Sequence, residues 1–81
     1  MKNSKMYIFF DDAVREYQNY YGEKAQFVMI KHLKKYLSEF SKTSKIIVIT
    51  VQDILVIRDW FFKYDLFKFI EDILNPLKMD K

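Results

Sequence analysis

The 81-residue sequence has no cysteine, one glycine, one proline and one histidine. Without cysteine there is no disulfide framework and no thiolate metal site. That absence fits a reducing compartment, and a cytoplasmic location is the expectation. A single glycine leaves no glycine-rich phosphate loop. The lone histidine, His32, has no second histidine or cysteine at ligand spacing, so a zinc site is unsupported. No Ser/His/Asp arrangement can be assembled. The expectation is a non-enzyme with no catalytic residue, metal or cofactor and no small-molecule substrate. Long uncharged runs are missing too. Asp53, Arg58, Asp59, Lys63 and Asp65 interrupt the one stretch that approaches the ~18 apolar residues of a membrane span. The apolar part of Met1 to Phe10 stops at Asp11–Asp12, too short for a secretory core. No membrane association is expected.

Apolar side chains are abundant. Hydrophobic residues make up 51% of the chain, and fifteen are Phe, Tyr or Trp. A domain of this size buries only about 60–65% of its unfolded surface. Some rings must therefore stay exposed, and a contiguous patch of them would mark an interface. A homodimer or a foreign protein partner is expected on this ground. The net charge of +3 and pI near 9.1 permit nucleic acid as a partner without requiring it. Nothing divides the chain, so residues 1–81 are read as one domain with flexible polar tails at 1–5 and 77–81.

The densest apolar stretch runs from Ile46 to Leu74 and must supply most of the core. Lys45 to Ile49 is β-branched and short, suited to a strand. Thr50 reads as the N-cap of a helix, with Asp53 at the third helical position completing a capping box. Asp65 to Asn75 is amphipathic at helical spacing: Leu66, Phe69, Ile70, Ile73 and Leu74 share one face. The polar wedges of the two halves point in opposite directions. That predicts a break at Lys63–Asp65 with Asp65 capping a further helix; the alternative is one long helix between two apolar surfaces. Pro76 ends the element at Asn75.

Earlier in the chain, Tyr7 to Phe10 is extended or a lead-in to a helix. Asp11 or Asp12 caps that helix, which runs to about Tyr21, and Gly22 stands where a left-handed C-terminal cap belongs. A second helix spans Glu23 to about Ser41, with Ala25, Met29, Ile30, Leu33, Tyr36, Leu37 and Phe40 on its apolar face. The fold class expected is mainly α: a compact bundle of about four helices with a minor two-stranded element from Tyr7–Phe10 and Lys45–Ile49.

Two sets of residues are candidates for function. Lys24, Lys31, Lys34, Lys35 and Lys42, extended by Lys45, form a basic stripe that could lie along phosphates of DNA; the same stripe also suits a solvated helix face. Arg58, Trp60, Phe61, Phe62, Tyr64 and Phe67 form an aromatic surface suited to a protein partner. Arg58, amid Val51, Leu55 and Phe62, must pair with an acid such as Glu16 or Glu39, snorkel, or reach a partner. His32 reads as a surface residue, and Tyr17, Tyr20 and Tyr21 as packing residues rather than a base-stacking platform.

KHLKKYLSEF at 31–40, a short loop, then IVITVQDI at 47–54 and the Asn75–Pro76 pair together resemble the N-terminal, SAM-like core-binding module of tyrosine recombinases. The match spans roughly Asp11 to Trp60. Its signature is mostly a capping box between apolar residues, which many helical domains share. The resemblance implies a helical, DNA-gripping module without chemistry, because the family's catalytic Arg, His and Tyr belong to a second domain. No catalytic residue carries over. Two functions follow as expectations: a DNA-associated module or small regulator using the lysine stripe, or a protein-interaction module, homodimer or inhibitor using the aromatic surface.

Overall fold

The computed structural model describes residues 4–78. The first strand, β1 (Ser4–Phe9), runs directly into helix α1 (Phe10–Tyr21). A 3-10 turn (Gly22–Lys24) leads to helix α2 (Ala25–Phe40), and α2 returns the chain to strand β2 (Ser44–Ile49). Helix α3 (Ile54–Lys63), a second 3-10 turn (Phe67–Phe69) and strand β3 (Ile70–Leu74) complete the fold, with a last 3-10 turn at Pro76–Lys78. The strands form one all-parallel sheet in the order β1-β2-β3.

This architecture corrects the expected four-helix bundle. The two segments assigned to a minor β element are the first two strands of a three-stranded sheet. The segment read as a fourth helix supplies the third strand. Leu66, Phe69, Ile70, Ile73 and Leu74 do repeat at helical intervals, but two other features produce that spacing. Leu66 fills the core from the turn after α3, and β3 carries a bulge: Ile46 pairs with Ile70 and Ile47 with Asp72, leaving one extra residue in β3. The bulge turns a two-residue strand repeat into a three-residue one, so Ile70 and Ile73 both face the core as they would on a helix. The helical module implied by the family resemblance is likewise not the fold of this chain.

Local caps also differ from expectation. α1 starts at Phe10 with no side-chain cap, and Asp11 and Asp12 sit inside its first turn. Thr50 does not cap α3. Asp53 does, its carboxylate accepting from the Leu55 N–H at 2.9 Å. The chain breaks at Lys63–Asp65 as expected, through a C-terminal motif rather than a new cap. The Leu66 N–H donates to the Phe61 carbonyl (2.8 Å) and the Asp65 N–H to the Phe62 carbonyl (3.1 Å), with Asp65 at φ 59°. This is the Schellman arrangement, and its customary apolar contact joins Leu66 to Phe61, both fully buried. Gly22 ends α1 at φ 58°, ψ −121°, a conformation open to glycine, and donates to the Gln18 carbonyl. Of the expected tails, 1–3 and 79–81 lie outside the described residues; Ser4–Lys5 belong to β1 and Leu77–Lys78 to the last turn.

One buried cluster holds the molecule together. Phe10 from α1, Met29, Leu33 and Leu37 from α2, and Ile57 and Phe61 from α3 meet Ile46, Val48 and Ile73 from the sheet. Met6 and Ile8 join it from β1. Side chains alternate between the faces of a strand, so all these sheet residues lie on one face. All three helices therefore cover the same side. Crossovers of one hand that step the same way across a sheet produce this result. Cα extents of 35 × 32 × 20 Å describe the resulting two-layer slab.

Candidate interaction surface

The carboxyl ends of the strands, where α/β folds usually hold ligands, are closed by hydrogen bonds. The Asp11 carboxylate accepts from the Thr50 hydroxyl (2.9 Å), the Val51 N–H (2.8 Å) and the Gln52 amide (2.6 Å). Burial pushes this carboxyl upward, but those three donors and the Arg15 charge outweigh it and hold Asp11 below its ordinary value. Asn75 donates to the Gln52 carbonyl and accepts from the Leu77 N–H. Among the described residues no buried side-chain polar atom lacks a partner, so the network reads as a latch across the strand ends. The strand order has no reversal and hence no switch-point crevice.

A groove of about 390 Å³ lies between the α1–α2 pair and α3, floored by Phe10, Met29, Ile57 and Trp60. Phe10 meets Trp60 edge-on at 5.1 Å, and the Gln26 amide donates to the Tyr64 hydroxyl across its end. A smaller cluster on α1 and α2 joins the Tyr17 hydroxyl to His32 Nδ1 at 2.8 Å. Burial and the neighbouring Tyr21 push the Tyr17 phenol above its ordinary value.

The expected protein-partner residues divide sharply. Phe61 is fully buried at the centre of the core and is not available to any partner. Trp60, Tyr64 and Phe67 are half-buried and pack against that core. Only Arg58 and Phe62 are exposed, on an outward stripe of α3 with Leu55; Phe62 stacks on Phe67 at 4.3 Å. Arg58 is thus not enclosed, and among the described residues the ion pairs are Arg15–Asp12 and Lys68–Asp65, so neither Glu16 nor Glu39 neutralises it.

The lysines are also divided. Lys24, Lys31, Lys34, Lys35 and Lys42 are exposed on the helical side, with the Lys31 ammonium over the Phe27 ring at 5.4 Å. Lys45 lies beside Lys5 in β1 and β2, on the sheet face turned away from the helices. It does not extend the stripe.

That second sheet face is the feature the sequence reading missed. Tyr7, Ile47 and Asp72 stand abreast on it, and Phe9, Ile49 and Leu74 form the next row. Tyr7 is 50% exposed and Phe9 58%. Purely parallel sheets are almost always covered on both faces, which is why their strands read as unbroken apolar runs. Met6–Phe9 and Ile46–Ile49 are such runs, and that was the available signal. Among the described residues no second layer covers this face: Tyr7 and Phe9 are exposed on it, Ile49 and Leu74 are half-buried, and Ile47 is buried between its neighbours. No family model, no curated protein and no solved structure matches the chain.

Proposed function

We propose that this chain is a non-enzymatic protein-interaction module that docks through the uncovered face of its parallel sheet. The observation that carries the reading is the half-exposure of Tyr7 and Phe9 on strands whose other side is sealed by three helices. A contiguous apolar face left to water is relieved when a partner covers it, and aromatic side chains are the usual anchors of protein contacts. A photo-crosslinking residue in place of Tyr7 should give a protein adduct that Phe9→Glu suppresses. The same group in place of the more exposed Tyr20, on the helical side, should give none. No adduct from position 7, or equal yields from both positions, would refute the reading.

DNA is the second reading, and one observation favours it: Lys24, Lys31, Lys34, Lys35 and Lys42 form no ion pair among the described residues. Such lysines would give sequence-tolerant binding that weakens steeply with salt. A duplex titration at low salt tests it. Binding that disappears in the Lys31→Glu/Lys34→Glu/Lys35→Glu variant supports this reading, and no binding at low salt removes it.

A further inference from the structure

Resting on the docking role of the open sheet face, we infer that its partner is a second copy of this chain, related by a twofold axis parallel to the strands. Charge placement on the face selects this arrangement. Lys5 and Lys45 stand at the amino end of β1 and β2, whereas Glu71 and Asp72 stand on β3, on the opposite edge of the sheet. All four are exposed, and none is in an ion pair among the described residues.

Face-to-face packing of two such sheets has two simple twofold solutions. An axis across the strands lays β1 on β1 and β3 on β3 with their directions opposed. That sets Asp72 against Asp72 and places Lys5 and Lys45 over the apolar row of Phe9 and Ile49, so both charge types lose. An axis along the strands lays β1 of one copy on β3 of the other and β2 on β2. Tyr7 then stands level with Asp72 of the second copy, its hydroxyl free to donate to that carboxylate, and Lys5 lies one pleat repeat away on the same side. Phe9 meets Leu74 and Ile49 meets Ile49, while Ile47, already buried in each copy, adds little. The two Lys45 side chains meet a like charge at the solvent-open end, where their stems can diverge.

The area bounds the kind of contact this can be. Three strands about 4.8 Å apart and six residues long present a footprint of roughly 15 by 20 Å, or about 600 Å² from both copies together, below a standard specific interface and in the range of weak, transient contacts. A contact of this size belongs with weak, transient interfaces, so self-association is expected at high protein concentration.

Sedimentation equilibrium on the purified chain up to about 0.5 mM reaches weak self-association and decides the matter. The wild-type chain should dimerise, Phe9→Glu should be monomeric, and Phe62→Glu, on the outer stripe of α3, should dimerise as wild type. Lys5→Glu and Asp72→Lys should each weaken the dimer roughly tenfold, because each pair occurs twice about the axis. The double variant Lys5→Glu/Asp72→Lys should recover most of the loss. This recovery is independent of any general effect on folding, which circular dichroism monitors separately. A chain that stays monomeric throughout overturns the second-copy assignment. So does a dimer lost with Phe62→Glu but kept with Phe9→Glu, or a double variant no better than the single ones. In the monomeric case a Tyr7-directed adduct of foreign mass in host extract would still sustain the docking role, and the lack of any adduct would end both.

Discussion

At the scale of single residues, Asp11 does the most with one side chain. Its carboxylate ties the first turn of α1 to the segment leaving β2, and three donors keep it charged. Its contribution follows from the direction of its pKa. The folded value lies below the unfolded value near 3.8, so the stabilisation is complete above that pH and is lost as pH falls through the folded value. Asp11→Asn cannot accept from all three donors. It should cost about 1–3 kcal/mol at neutral pH and flatten the acid limb of the stability curve below pH ~4, as read by urea titration across pH. Asp65 makes a different prediction. It holds φ 59° without being glycine, and its ion pair with Lys68 is largely solvent-facing. Asp65→Gly should therefore be neutral or stabilising by up to about 1 kcal/mol, whereas Gly22→Ala should destabilise by about 1 kcal/mol or more; thermal melts compare the two.

At the scale of elements, legibility depended on how each element encodes itself. α1 and α2 could be read because their apolar residues recur at helical spacing and Gly22 punctuates them. The end of α3 could be read because the polar wedge changes direction at Lys63–Asp65. β3 could not, because its bulge and the buried Leu66 together reproduce a helix period in a segment that is mostly turn and strand. Thr50 was misread for a related reason. Its hydroxyl does bind the Gln52 N–H (3.1 Å), as a cap would, but it also donates to Asp11, and the helix waits until Asp53. Asp53→Ala should cost about 1 kcal/mol, with Thr50→Val costing a similar amount through the Asp11 network rather than through helix content. Native-state hydrogen exchange at Leu55–Ile57 separates the two, since only loss of the Asp53 cap frays that turn.

The site was less legible than the fold, and the cause lies in particular residues. Phe61 and Phe62 are adjacent in sequence and equally apolar, yet one is the centre of the core and the other is 58% exposed. Only the packing of α3 distinguishes them. Lys42 and Lys45 are three residues apart, yet the turn between α2 and β2 puts Lys45 on the sheet face away from the helices. Tyr7 and Phe9 were visible only as strand residues, since nothing in a local pattern says whether a second layer covers them.

At the scale of the whole molecule, the protein is a two-layer slab. Its helices close one side of a parallel sheet, its strand ends are latched, and its other side is apolar with a basic end and an acidic edge. One measurement addresses this directly: relaxation of side-chain NMR signals by a soluble paramagnetic probe, recorded at low and high protein concentration. At low concentration Tyr7, Phe9 and the Ile49 methyls should broaden while Met6, Ile8 and Val48 do not. On concentration the first group should become protected, and Tyr20 and Phe27 should stay accessible. Shielding of Tyr7 and Phe9 even at high dilution, or accessibility of Met6 and Ile8 beside them, would contradict the account.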